Sequence, residues 1–397
     1  MYILDFLAGK LAQSSVAEVR QTEYRVLCSG ELYNGNVLTS DWRKSDVTRV
    51  LLTSPFSLYV VSRPFHDYPQ ELALHISVHR VTETAGQFSS TFFPDDVVAR
   101  DLVSILSVLL RRHLTIATKV GVSVPGGAPP QFNLPGVLPL PIVKTTVDSA
   151  WPKHPVGVMT DGQGRVTLDD YNPPPLPVDS KKLSEVLSAI TNLPRREAEA
   201  FVLASRLYAQ ALQLIGSAPE ISYQLLISAI ESLASVVLAK YEPSREEMIS
   251  TKRKVVEKAT TLGLTTDQAN ELAILACADN RWISRRFRVF IMSLVDDTLW
   301  TADSLFKLSQ DLVPPREKFE SVLKNIYNSR SDAVHAGLSW QETIHFGWGP
   351  AVPSSVLKHL FMGPFRDPPL VWFERVVNLA LNRYLDAEGR GKLPSLA

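Results

Sequence analysis

Cysteine is nearly missing from this 397-residue chain, which holds only Cys28 and Cys277. Neither has a partner at metal-ligand spacing, so zinc chemistry is not indicated. Such sparse usage suits a reducing cytosol, with both thiols packed in cores. An excess of one charge is also lacking, since 41 lysines and arginines meet 41 aspartates and glutamates. No global field therefore draws the protein to nucleic acid, and any such attraction must come from a local patch. Long apolar runs are absent too. Asp5 interrupts the N-terminus before a signal-peptide core forms. No apolar run reaches the roughly 18 residues of a membrane span. A cytoplasmic protein without membrane contact is expected. No phosphate-cradling glycine loop and no nucleophile elbow occur. Histidines number eight, and the pair His75 and His79 sits in an alternating apolar–polar stretch, Leu72 to Val81. On a strand, four residues span about 13 Å, too far to share one ion. Neither a metal nor a cofactor is expected.

What remains is an ordinary globular composition, 45% apolar and 21% charged, in a chain long enough for two domains. The fold class expected is α+β: a mixed strand and helix domain over residues 1–177, then an all-α helical bundle over 178–397. Val47 to Val61 reads as two short β-rich runs around Ser54-Pro55. Asp95 to His113 switches to helical period, with Val98, Leu102, Ile105, Leu106 and Leu109 as its stripe. Asp95 and Asp96 lie where the helix dipole favours acid, and Arg111, Arg112 and His113 where it favours base. From Pro125 to Pro141, six prolines and three glycines occupy 17 positions. A hairpin around Asp161-Gly162-Gln163-Gly164 and the run Pro173-Pro174-Pro175-Leu176-Pro177 follow. Proline clusters stop helices and stiffen linkers, which sets the boundary near Pro177. Beyond it, helices are predicted at about 183–190, 195–215, 219–240, 244–261, 266–278, 281–294, 302–311, 318–329 (running into Arg330 to His335) and 369–385. Ser217-Ala218-Pro219-Glu220 reads as a capping box for the third of these.

Three features carry candidate chemistry. Arg330-Ser331-Asp332-Ala333-Val334-His335 places an arginine five residues before a histidine at the end of an amphipathic helix. An arginine stays charged while a histidine titrates near neutrality. Together they could hold a phosphate and move a proton, enough to cut RNA through its own 2′-hydroxyl. In a regular helix the two positions diverge by about 140°. Ser329, Ser331 and Asp332 favour a break that would let them meet. The alternative is that Arg330 pairs with Asp332 or Glu231 and His335 caps or packs. Glu231 lies among Ile227, Ile230, Leu233 and Ala234, where a buried carboxylate needs a partner. It either orients Arg330 or His335 or sits on a polar face. Finally, Arg281, Arg285, Arg286 and Arg288 flank Trp282 and Phe287. Arginines beside exposed aromatics would grip single-stranded RNA; alternatively the aromatics enter the core and the arginines stay solvated.

The stretch Ile326 to Gly337, with Arg330 and His335, resembles the signature of HEPN domains, in particular the ApeA-like group. Tyr223 to Ala234 is similar to the Ala-x-Glu-x-Leu helix that accompanies it there, with Ala229, Glu231 and Leu233 in the matching places. The resemblance covers roughly residues 195 to 386. It implies a metal-independent endoribonuclease in which His335 is general acid or base and Arg330 stabilises the phosphate. It further implies 2′,3′-cyclic phosphate products, a homodimer formed through the HEPN domain, and a role in phage defence or toxin-like growth arrest. A phage-derived trigger or cognate regulator would then be a partner, and the first domain a sensor. The sequence departs from the pattern at Ser331, where many active HEPN ribonucleases carry Asn, Asp or His. The competing reading is a non-catalytic HEPN module that binds RNA, nucleotide or a partner protein.

Overall fold

The computed structural model describes residues 1–11, 18–35, 50–53, 55–62, 70–86, 88–123, 158–160, 166–168, 175–215, 218–277, 282–301, 314–336, 368–386, 390–391 and 393. The chain is α+β. Its first part holds α1 (Tyr2–Leu7), β1 (Val19–Cys28), β2 (Leu32–Asn34), β3 (Val50–Leu52), β4 (Ser57–Ser62), β5 (Gln70–His79), β6 (Val81–Ala85), β7 (Phe88–Phe92), α2 (Asp95–Leu110) and β8 (Leu114–Ser123). Five of these strands form an antiparallel sheet in the order β3-β4-β5-β1-β8. The alternation in β5 buries Leu72, Leu74, Ile76 and Val78 under α2, whose Val98, Leu102, Ile105 and Leu106 are fully enclosed. Burial of each such side chain is worth about 1.5–3 kcal/mol. His75, on a strand as expected, meets the carboxylate of its cross-strand partner Glu23 at 3.3 Å. His75 chiefly, by hydrogen bonding, pulls the Glu23 pKa down.

Two short strands, β9 (Val158–Thr160) and β10 (Val166–Leu168), pair antiparallel around the expected hairpin. β11 (Leu176–Val178) contains the expected boundary and pairs parallel with β2. Gly35 is needed there, because a Cβ would sit 2.9 Å from Cβ of Pro177. The helical part follows: α3 (Ser180–Thr191), α4 (Arg195–Leu214), α5 (Pro219–Val237), α6 (Arg245–Thr251), α7 (Arg253–Thr261), α8 (Thr266–Leu275), α9 (Ile283–Leu294), α10 (Phe319–Ala336) and α11 (Leu370–Leu385). α4 and α5 pack along one another, and α9 and α11 flank α5. One hydrophobic cluster runs from the sheet through α2 into α4, α5, α9 and α11, so the two parts share a core.

Several expected boundaries shift for local reasons. α2 stops at Leu110 because Arg111 turns left-handed (φ 47°, ψ 46°). Arg111, Arg112 and His113 therefore lie beyond the helix and do not compensate its dipole from within. α5 begins at Pro219 on Ala218 without a side-chain cap, and Ser217 of the expected capping box lies outside the described residues. The helix expected over 244–261 is broken at Lys252 into α6 and α7. The helix expected over 302–311 falls outside the described residues. Contrary to the reading of apolar runs, α5 is long and apolar enough, by length and composition, to cross a membrane. Its Tyr223, Leu226, Ile227, Ile230 and Leu233 are instead buried in the bundle.

Candidate functional site

The motif helix α10 is fixed at its start by aromatic packing. Phe319 meets Trp300 edge-on at 5.2 Å and Trp372 at 5.9 Å. Phe319, Val322, Leu323 and Ile326 then bury one stripe of the helix. Four residues past Ile326 the same stripe reaches Arg330, so the guanidinium is carried against the neighbouring helix α5 instead of out to solvent. There Glu231 sits one position off the buried row Ile227, Ile230 and Ala234. Arg330 Nη2 lies 3.3 Å from Glu231 Oε2, and the Tyr327 hydroxyl donates to Glu231 Oε1 at 2.7 Å. Of the partners the sequence offered Arg330, Asp332 and Glu231, it is Glu231 that binds; Asp332 is exposed.

Glu231 thus pairs with Arg330 and is itself held by Tyr327. The Tyr327 pKa is raised, first by burial and then by the hydrogen bond to Glu231. The phenol therefore stays protonated and donates at any neutral pH. Arg330 keeps 26% of its side chain exposed while Glu231 keeps 14%. The Arg330 side chain is thus partly open to solvent. By sequence spacing Tyr327 falls with Phe319, Val322 and Ile326 on the apolar face of the helix. Its place three residues before Arg330 was the available signal, because i and i+3 share a helix face.

His335 lies within the last turn of α10, and its side chain is outside the described residues. The helix runs unbroken through Phe319–Ala336, so the expected break between 330 and 335 does not occur. The two helical positions are about 140° apart around the axis. Hydrogen bonding from turn to turn outweighs the weak helix preference of Ser329, Ser331 and Asp332.

The arginine-rich segment opens α9, with Trp282 left-handed (φ 52°) just before it. Arg281 is outside the described residues. Phe287 is fully buried and packs on Tyr327 at 5.6 Å between ring centroids. The arginines are not left in solvent either. Arg285 Nη1 and Arg288 Nη1 both reach Glu320 Oε1, at 2.9 and 3.0 Å, and Arg285 also pairs with Glu247. Arg286 donates to the Ala239 carbonyl at 2.8 Å, beyond the end of α5. Burial, reinforced by neighbouring Arg285, lowers the Arg288 pKa. The free cationic row expected for RNA is, among the described residues, a set of ties joining α9 to α5, α6 and α10. The carboxylates responsible are 32–38 residues away in sequence, which is why local reading missed them. Among the described residues no group of three or more His, Cys, Asp or Glu side chains is placed to hold a metal ion.

Set beside models of known protein families, curated proteins and solved structures, the chain matches none of them.

Proposed function

We propose that this chain is a metal-independent endoribonuclease of HEPN type, acting as a homodimer in phage defence or toxin-like growth arrest. The observation that supports this best is the partly buried Arg330, its guanidinium held at 3.3 Å by Glu231, itself held by Tyr327. A guanidinium anchored through one nitrogen keeps others of its planar fork for phosphate oxygens. In the reaction His335 takes the proton of a ribose 2′-hydroxyl, and that oxygen attacks the adjacent phosphorus. The 5′-oxygen leaves with the proton that the imidazolium gives back, giving 2′,3′-cyclic phosphate and 5′-hydroxyl ends. Arg330 stabilises the charge that builds on the phosphate oxygens. Because positions 330 and 335 diverge on a continuous helix, the two groups serve one phosphate if the last turn of α10 unwinds or a second copy supplies one of them. The second option fits the dimer that the resemblance implies.

A second reading, a HEPN module that binds without cutting, is favoured by the unbroken helix and by the internal pairing of Arg285, Arg286 and Arg288. Incubating the full chain with total RNA and excess chelator separates the two. Cleavage that disappears in Arg330→Ala/His335→Ala supports the nuclease. Binding without new RNA ends supports the second reading.

A further inference from the structure

A cavity of about 620 Å³ opens where the sheet part meets the helices, between α2, β8 and α4. Its size lies in the range of small-molecule sites. Its walls are of two kinds. Val103, Leu114, Ile116 and Ala209 give an apolar floor, while Arg100, Arg206, Gln210 and Gln213 give polar sides. Asp101, buried to about a fiftieth of its exposure, receives Arg206 Nε at 2.6 Å. Arg100 donates through Nε to the Asp96 carbonyl at 3.3 Å. Both guanidinium groups are thus oriented through Nε, and among the described residues their terminal nitrogens have no partner.

Two more atoms in the wall are left over. Asp101 Oδ2 and His113 Nδ1 are buried and have no hydrogen-bond partner among the described residues. Burial also pushes the His113 pKa down to about 4, so the imidazole is neutral near pH 7. Buried polar atoms are nearly always satisfied, and two orphans in one cavity wall mark a place that something else completes. With His113 neutral, two cations and one anion face the space, leaving it net positive.

We propose that this cavity is a binding site for a mononucleotide. The phosphate dianion lies against the Nη groups of Arg100 and Arg206, which match its oxygens in a planar fork. The base lies flat on the apolar floor, with Gln210 and Gln213 offering both donor and acceptor to its edge. An exocyclic amino group of the base supplies the donor that Asp101 Oδ2 lacks. The site does not involve Arg330 or Glu231, so it stands whether or not the chain cuts RNA.

Calorimetry on the full chain tests this with AMP, adenosine, inorganic phosphate and a short oligoribonucleotide. The expected result is saturable AMP binding below about 1 mM, with adenosine and phosphate each weaker. Arg100→Gln removes one charge and leaves the Asp101–Arg206 pair intact, and it should weaken AMP about tenfold, the loss of one charge-assisted bond. Gln210→Ala is the second probe, and should also weaken AMP without lowering the melting temperature of the free protein. No heat with AMP at about 1 mM overturns the proposal. So does AMP binding untouched by both variants, phosphate as tight as AMP, or an oligoribonucleotide that outcompetes AMP.

Discussion

Glu231 shows how a single side chain gains a role from two neighbours. It accepts from Tyr327 and from Arg330, so removing either donor leaves an acceptor half satisfied. Tyr327→Phe keeps the ring against Phe287 and removes only the hydroxyl. It should cost about 1 kcal/mol in urea unfolding, and in an active enzyme it should lower kcat more than it raises KM. Glu231→Gln should fold normally, because the pair is partly exposed and such pairs contribute about 1 kcal/mol or less. A loss of cleavage in that variant with an unchanged melting curve would mark Glu231 as positioning. An unchanged rate would mark the contact as structural. His113 gives a pH signature. Its folded pKa is about 4 against 6.5 for the free group, through burial. The unfolded chain therefore takes up a proton that the folded chain refuses. Stability from this residue is complete above pH 6.5 and is lost as pH falls toward 4, by up to about 3 kcal/mol. His113→Leu should flatten the urea midpoint between pH 7 and 5; an equally steep decline would put the acid sensitivity elsewhere.

At the scale of elements, periodicity was a good guide and partners were not. The stripes of α2, α4, α9 and α11 and the alternation of β5 are visible in the sequence because each element buries one face. The left-handed stop at Arg111 was not visible, because its side chain is held by distant Glu374; the break at Lys252 carried no sequence signal. The last helix is the instructive case. From the sequence alone its broad apolar run, Pro369 to Phe373 with Val376, Val377, Leu379, Ala380 and Leu381, predicts that this helix or the motif helix beside it lines a two-fold interface. Trp372, Phe373, Val376, Val377, Ala380 and Leu381 are all buried within the chain, by α2, α5 and α9 among others. A helix surrounded on several sides is apolar all round without needing a second copy. Val376→Asp should therefore abolish folding, losing well over about 4 kcal/mol, and appear as loss of the circular-dichroism melt. A well-folded monomeric Val376→Asp protein would restore the interface reading. The sequence leaves open which of Arg330 and His335 meets Glu231. Of the candidate site, a partner for Glu231 was legible, since a carboxylate in an apolar helix requires one. The fate of the arginines at 285–288 was not, since Glu247 and Glu320 arrive from distant segments.

Across the whole molecule, the sheet part and the helical part are joined by a polar knot inside the shared core. Arg111, at the left-handed end of α2, donates to both carboxylate oxygens of fully buried Glu374 on α11. Tyr208 of α4 donates to the same carboxylate at 2.5 Å, and Asn378 ties Tyr208 to the Val108 carbonyl. Burial, then the Glu374 charge, drives the Tyr208 pKa far up, so the phenol remains a donor. Breaking such a pair from one side leaves a buried charge alone, which costs about 3–5 kcal/mol. Arg111→Ala or Glu374→Ala should each lower the free energy of unfolding by that amount, read from the denaturant midpoint, while Arg111→Met/Glu374→Met should cost less than either. A double variant as unstable as the sum of the singles would show that the knot is not a coupled unit.

The central claim is that Arg330 and His335 cut RNA without a metal. Its most direct measurement is the initial rate of new 2′,3′-cyclic phosphate ends on total RNA in excess chelator, for the parent, His335→Ala and Arg330→Lys. The expected result is cleavage by the parent, a fall of about 10²-fold or more for His335→Ala at nearly unchanged RNA affinity, and no rescue by lysine at 330, which lacks the planar fork. A His335→Ala protein as active as the parent, or a parent that binds RNA and releases no new ends, would contradict it.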